Sequence, residues 1–219
     1  MEPTVSGVGV LDKSVAVLVA LEAGPLTLNE LVDRTAIARA TAHRLAVALE
    51  AHGFVRRDDD GRFALGVRLI ALGRAAAEAI PLAAAAHAPL EQLRDATGES
   101  VQLYVRDGDR RVCIAALESP HGLRTIVPMG AALPLSVGSA GRLLDPTSAA
   151  PVAWVESVGE REAGVASVSA PVLDAGGRVV AAVSVSGPVE RTTKRPGARY
   201  ADDVQRAARQ IEVAAGLRS

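Results

Sequence analysis

The segment that decides the fold is ARATAHRLAVALEA, residues 38–51. Its inward residues recur at the three- and four-residue spacing of one helix face. They are Ala42, Leu45, Ala46 and Leu49. The spacing predicts an amphipathic helix over residues 39–51, which His52 and Gly53 end.

Two further helices are predicted upstream of this segment. The first covers residues 10–22 and ends before Gly24 and Pro25. Its apolar stripe consists of Leu11, Val15, Leu18 and Val19. The second covers residues 28–34 and begins with the capping box TLNE, in which Thr27 is the N-cap and Glu30 lies three residues on.

A β-hairpin is predicted immediately after the third helix. Residues 54–57 and 62–65 alternate in polarity on either side of the turn at Asp59, Asp60 and Gly61. Three helices followed by a hairpin form a winged helix-turn-helix, so we assign residues 1–66 to that domain.

The remainder of the chain predicts a linker helix and a second domain. Residues 66–96 are Ala-rich and helical, interrupted at Pro81 and Pro89, with the linker over 67–80. Strands are expected over 101–105, 112–117, 123–127, 165–173 and 179–186. A helix over 199–217 closes the chain, so residues 81–219 form an antiparallel α+β domain.

The third helix presents a polar outer face that predicts duplex DNA as a partner. Its outward residues are Arg39, Ala40, His43, Arg44 and Val47, with Thr41 at the edge. In a major groove, Arg39 or Arg44 would fork onto guanine, Ala40 would touch a thymine methyl, and Thr41 would suit a phosphate. On the hairpin, the residues placed to hold flanking phosphates or to enter the minor groove are Arg56, Arg57 and Arg62.

The bulk composition does not by itself indicate a nucleic-acid partner. The net charge is -1, but the arginines of residues 34–57 are separated from the acidic cluster at residues 58–60. No apolar run reaches the length of a membrane span and the start lacks a signal-peptide pattern, so we expect a cytoplasmic protein. The lone Cys113 is expected to be buried, and one Cys with four scattered His predicts no metal site.

Two other classes of function stay open at this point. A hydrolase-like enzyme would need a nucleophile elbow, and no Gly-x-Ser-x-Gly occurs in the chain, so we expect no enzyme. In the other class, the chain is a small-molecule-binding module whose winged helix binds another protein. The outer arginines are then ordinary solvent-exposed residues of the helix surface.

The sequence resembles the IclR family of bacterial transcriptional regulators. The segment IARATAHRL at residues 37–45 is similar to that family's recognition helix, and FALG at residues 63–66 to the end of its wing. Residues 130–141, 164–171 and AVSVSGP at 182–188 resemble its effector-binding domain. The resemblance implies a homodimer or tetramer with a GAF-like ligand domain and no cofactor.

The resemblance also implies a small-molecule effector and its site. Residues 6–13, 41–49 and 159–188 look like an actinobacterial subgroup that controls leucine and other amino-acid biosynthesis genes. The implied effector is a small carboxylate or an amino-acid-like molecule. The effector-binding positions are Ser139, Ala140, Ser167, Ser184 and Ser186.

The surroundings of that site are also predicted. A short helix is predicted over residues 139–144, and backbone N–H groups at its start would hold a carboxylate. The apolar walls would come from Val105, Leu133 or Met129, and no Arg or Lys is placed to pair the carboxylate. A helical insert that is usual in the family is shortened here around residues 145–153.

Overall fold

The computed structural model describes residues 6–148 and 152–218. The chain divides into two compact units, Met1–Ala76 and Ala77–Ser219. Among the described residues, no single helix is long and apolar enough to cross a membrane, and only the broken pair Arg68–Ala76 and Pro81–Thr97 has enough apolar length when taken together.

The N-terminal unit is a winged helix-turn-helix. Its elements are α1 (Gly9–Ala20), a 3-10 turn (Leu21–Ala23), α2 (Leu28–Thr35), α3 (Arg39–Ala51), β1 (Val55–Arg57), β2 (Phe63–Leu65) and α4 (Arg68–Glu78). The antiparallel hairpin pairs Val55 with Leu65 and Arg57 with Phe63. The predicted helices and hairpin are therefore confirmed, and a helix lies where the linker was expected.

The capping box at the start of α2 forms as the sequence predicts. The Thr27 hydroxyl accepts the Glu30 N–H at 3.3 Å, and the Glu30 carboxylate accepts the Thr27 N–H at 2.8 Å. Leu26, just before the cap, pairs with Phe63 of the hairpin through two backbone hydrogen bonds of 2.8 Å. This bridge fixes the start of α2 against the wing.

The apolar face of α1 differs from the predicted stripe. Val17 is fully buried in the core of this unit, and Leu18 packs partly against that core. Leu11 and Val15 are instead 52% and 49% exposed. The helix thus carries a second apolar face, which periodicity cannot distinguish from the buried one.

The C-terminal unit is one antiparallel sheet between helices. Its elements are α5 (Pro81–Thr97), β3 (Ser100–Asp107), β4 (Arg110–Leu117), β5 (Ala132–Pro134), α6 (Ser139–Leu144), β6 (Val155–Val158), β7 (Val165–Leu173), β8 (Val179–Pro188), α7 (Val189–Thr192) and α8 (Pro196–Ala214). The strand order is β5-β4-β3-β8-β7-β6. The α+β fold class is therefore confirmed.

The alternation along β3 separates two cores. Val101 and Leu103 pack with α5 and α8 on one face of the sheet. Tyr104 faces the other way and packs with Cys113 and with Leu143 of α6. Cys113 is buried as predicted, and burial raises the pKa of its thiol to about 12.

Some predicted elements of this unit were wrong or missed. Pro89 does not interrupt α5, because it is buried with Leu90 against the sheet and that packing outweighs the lost backbone hydrogen bond. Residues 123–127 form no strand; the edge of β4 pairs with Ala132–Pro134 instead. The short β6 and α7 were not predicted.

Candidate DNA-binding surface and effector pocket

The outer face of α3 has the exposure that its sequence predicts. Ala42 and Ala46 are fully buried, whereas Arg39, Ala40, His43 and Arg44 are exposed and Thr41 is half-buried. The side chains proposed to meet base edges are thus free of the domain core.

Intramolecular contacts divide the predicted DNA-binding arginines into two groups. Arg57 pairs with Glu50 at 3.4 Å and lies 4.2 Å from the centre of the Phe63 ring. Arg62 pairs with Asp58 at 2.9 Å and with Asp60 at 3.1 Å. The acidic cluster at residues 58–60 therefore compensates the charge of Arg62.

The second group consists of Arg39, Arg44 and Arg56, whose positive charges have no carboxylate partner among the described residues. Arg39 donates a hydrogen bond to the neutral Asn29 side chain of α2. Arg44 and Arg56 are exposed and have no ion pair or hydrogen bond through their side chains within residues 6–148 and 152–218. Among the predicted DNA-binding arginines, those without a carboxylate partner in the described residues therefore lie on α3 and on the first strand of the wing.

All five predicted effector residues meet in one pocket of the C-terminal unit. The pocket lies between α6 and strands β3, β7 and β8, and its volume is about 30 Å³. Its lining residues are Gln102, Tyr104, Arg111, Val127, Gly138, Ser139, Ala140, Ser157, Arg161, Val165, Ser167, Ser184 and Ser186.

Strand register links the pocket serines by hydrogen bonds. Ser167 lies opposite Ser186 and Ser169 lies opposite Ser184 in the β7–β8 pair. The Ser139 hydroxyl is 2.8 Å from that of Ser167 and 2.7 Å from that of Ser169. The hydroxyl of Ser169, a residue that sequence analysis missed, donates a hydrogen bond of 2.9 Å to the hydroxyl of Ser184.

The largest omission of the sequence analysis is a buried arginine. Arg111 is 3% exposed, and its Nη1 donates to the carbonyls of Pro134 and, at 2.7 Å, of Val137. Burial lowers the pKa of the Arg111 guanidinium. Two positions from the buried Cys113 along β4, Arg111 faces the same side of the sheet. This alternation along β4 was the signal in the sequence that could have placed Arg111 on the pocket side of the sheet.

The predicted walls of the pocket were also wrong. Val105 packs on the opposite face of the sheet, and Met129 is 58% exposed. Leu133 packs with the core beneath α6 rather than with the pocket. The apolar lining comes from Tyr104, Val127 and Val165, because the side-chain alternation of β3 directs Tyr104 rather than Val105 inward.

The start of α6 is already engaged by a carboxylate of the chain itself. The N–H of Gly138 donates to Glu160 at 3.0 Å, and Glu160 also pairs with Arg142 at 3.3 Å. Of the predicted shortened segment, residues 149–151 lie outside the described residues.

A winged helix-turn-helix with a basic exposed helix, followed by an α+β unit, defines a transcriptional regulator of the helix-turn-helix class. Residues 10–59 match the IclR helix-turn-helix domain, and residues 74–149 and 149–213 match the bacterial transcriptional regulator IclR C-terminal domain. The chain therefore belongs to the IclR family of bacterial transcriptional regulators.

Individual relatives agree with this assignment. The regulator KipR of Bacillus subtilis is 32% identical over 59% of this chain and 52% of its own length. BhcR of Paracoccus denitrificans is 27% identical over 94% of this chain and 86% of its own length. These proteins are named as transcriptional regulators rather than as enzymes, which confirms the expected non-enzymatic class.

Solved structures share the fold. An IclR regulator from Alicyclobacillus acidocaldarius has a TM-score of 0.81 at 23% identity, covering 95% of this chain and 99% of its own. An IclR homologue from Microbacterium hydrocarbonoxydans, complexed with 4-hydroxybenzoate, has a TM-score of 0.78 at 21% identity, covering 94% and 99%.

Proposed function

We propose that this protein binds specific duplex sites by placing α3 in the major groove, with β1 and β2 against the flanking backbone. The observation that carries the proposal is the exposed outer face of α3, on which Arg44 has no acidic partner in the described chain. Arg39, Ala40, His43 and Arg44 face base edges, and Thr41 lies beside a phosphate. On the wing, Arg56 holds a phosphate more strongly than Arg57 or Arg62, whose charges are already paired.

The test is the salt dependence of duplex binding. Duplexes selected from a random pool are titrated with the full chain by fluorescence anisotropy at several salt concentrations. We expect Arg44→Ala and Arg56→Ala each to weaken duplex binding. Because Arg56→Ala removes a phosphate contact, it should also reduce the magnitude of the slope of log K against log salt by about 1. Arg62→Ala should change the slope less, because Asp58 and Asp60 already neutralise that side chain.

The matched control is Arg178→Ala in the other unit, where Arg178 is exposed and paired with Asp174. This variant should bind DNA as the wild type does. A wild-type affinity independent of salt, or unchanged binding by Arg44→Ala, would refute the DNA-binding role.

We further propose a homodimer, which places two recognition helices on a two-fold operator. The exposed apolar residues of α1 support self-association; Val10 is 64%, Leu11 52% and Val15 49% exposed. Sedimentation velocity of the wild type and of Leu11→Gln tests this: the wild type should sediment as a dimer or tetramer. A monomeric wild type contradicts the proposal.

We also propose an effector and a set of target genes. The pocket at Ser139, Ser167 and Ser184 suits a small polar effector, a carboxylate or an amino-acid-like molecule, and the related fold that holds 4-hydroxybenzoate supports a ligand role. Control of leucine-pathway genes rests on the subgroup resemblance alone. A genome-wide map of bound sites tests it, and sites that avoid amino-acid biosynthesis genes exclude it.

A further inference from the structure

We propose that Asn29 of α2 is a positioning residue for DNA recognition, because its side-chain oxygen holds the guanidinium of Arg39 in place to read a guanine in the major groove. The inference rests on the duplex-binding role proposed above and adds a residue that lies outside α3. The base preference at one position of the DNA site would thus depend on a residue of the neighbouring helix.

The contact between Asn29 and Arg39 joins the first turns of two helices. Asn29 is the second residue of α2, and Arg39 is the first residue of α3. The Nη1 group of Arg39 donates a hydrogen bond to Oδ1 of Asn29, and both residues are exposed. The first turn of a recognition helix is the part that reaches base edges. The contact therefore orients an arginine at that position while leaving it accessible.

The helical turn that carries Asn29 is fixed in place. Asn29 lies inside the capping box, in which Thr27 and Glu30 exchange hydrogen bonds of 2.8 and 3.3 Å. Leu26, just before the cap, is joined to the hairpin by two backbone hydrogen bonds of 2.8 Å. A side chain on a rigid element can hold its partner in one orientation.

The amide of Asn29 holds Arg39 without neutralising it. The wing arginines Arg57 and Arg62 are paired with carboxylates, whereas the partner of Arg39 carries no charge. The carboxylate of Glu30, next to Asn29 in the sequence, accepts the N–H and the hydroxyl of Thr27 instead. Arg39 therefore keeps its attraction for DNA while its orientation is restricted.

The remaining edge of the Arg39 guanidinium matches guanine. Nη1 is engaged by Asn29, and Nε and Nη2 have no hydrogen-bond partner in the described chain. These two groups donate side by side, as the O6 and N7 acceptors of guanine require. Because the side chain is ordered before binding, less rotamer freedom is lost at a guanine site, which favours that site by at least about threefold.

The experiment measures base preference with the full chain. A duplex selected by the wild type from a random pool is compared by fluorescence anisotropy with duplexes in which each G·C pair is replaced in turn by A·T. At the position read by Arg39, the wild type should prefer guanine by about 5- to 150-fold. Arg39→Ala should remove the preference at that position alone.

Substitutions of Asn29 then test the positioning role. Asn29→Ala should reduce the guanine preference by at least about threefold. In the Arg39→Ala background the same substitution should change the preference no further, because no guanidinium is left to orient. Asn29→Asp keeps the acceptor and should retain the preference, while its negative charge weakens binding to both duplexes.

The matched control is Asp33→Ala, which removes another exposed polar side chain of α2. Loss of this negative charge should strengthen binding to both duplexes by the same factor and leave the guanine preference unchanged. Asn29→Ala should unfold thermally as the wild type does, because the side chain is exposed.

The outcomes separate this proposal from the proposed function. An unchanged guanine preference in Asn29→Ala overturns the positioning role, and so does an equal loss of affinity for both duplexes, which is the result expected of a phosphate contact. If Arg44→Ala weakens duplex binding but no guanine preference depends on Arg39, the DNA-binding role stands and this inference fails. If the wild-type affinity does not vary with salt, both fail.

Discussion

Gly141 makes room for the arginine that faces the pocket. A Cβ at this position would lie 2.4 Å from the Leu135 carbonyl oxygen and 2.6 Å from Arg111 Nη1. The backbone oxygen cannot move away as a flexible side chain would. The approach of α6 to the turn at residues 134–137 therefore requires a residue without a side chain.

We expect Gly141→Ala to lower the free energy of unfolding of the C-terminal unit by about 1–3 kcal/mol, despite the better helix propensity of Ala. Urea unfolding followed by fluorescence of Trp154, the single tryptophan, measures this change. The control is Gly122→Ala in the same unit, where an added Cβ meets nothing within 4 Å. A midpoint for Gly141→Ala equal to that of the control contradicts the steric explanation.

The pocket serines were predictable at the scale of single residues. For the pocket arginine, alternation indicates the side of the sheet but not that the side chain is buried. Ser184 and Ser186 alternate along one strand, so their common side follows from strand geometry. Arg111 lies on β4 two positions from the buried Cys113, but an arginine in a strand is usually exposed. Its burial depends on the carbonyls of Pro134 and Val137, more than twenty residues away along the chain.

Among the elements, α2 depends most directly on a local sequence signal. The Thr27 hydroxyl accepts the Glu30 N–H at the start of α2. The Thr27 N–H and hydroxyl donate to the Glu30 carboxylate, and these bonds lower the pKa of Glu30. A carboxyl group whose pKa is lowered in the folded state stabilises the fold at a pH above its ordinary pKa of 4.5. This stabilisation is lost as the pH falls through the pKa of the folded state.

We expect Thr27→Ala to destabilise the N-terminal unit by about 1 kcal/mol, because the N-cap acceptor is lost. Far-UV circular dichroism during thermal unfolding should show the loss, while the transition of Trp154 in the other unit stays in place. Thr27→Ser retains the hydroxyl and should unfold like the wild type. An unshifted circular dichroism transition in Thr27→Ala contradicts the role of the cap.

At the scale of the whole molecule, each unit has its own core. The buried cluster of the N-terminal unit runs from Val17 to Phe63, and the large cluster of the C-terminal unit from Ala86 to Ile211. We therefore expect residues 77–219 to fold when expressed alone. The fragment should show a cooperative urea transition of Trp154 fluorescence, and a gradual one would contradict the independence of this core.

The sequence by itself determined the elements whose signals are local. The period of α3, the capping box of α2 and the alternation of the wing each lie within a few turns or strand positions, so neighbouring residues suffice to specify them. The outward position of Arg44 on α3 follows from the same periodicity.

Only the tertiary structure decided how the charges are paired and which groups enter the pocket. The pairing of Arg57 of the wing with Glu50 of α3 depends on how these two elements pack together. The meeting of Arg111 with the serines of β7 and β8 depends on strands distant along the chain. Such contacts form when elements that are distant along the chain pack together. The periodicity of residues within one segment cannot predict them.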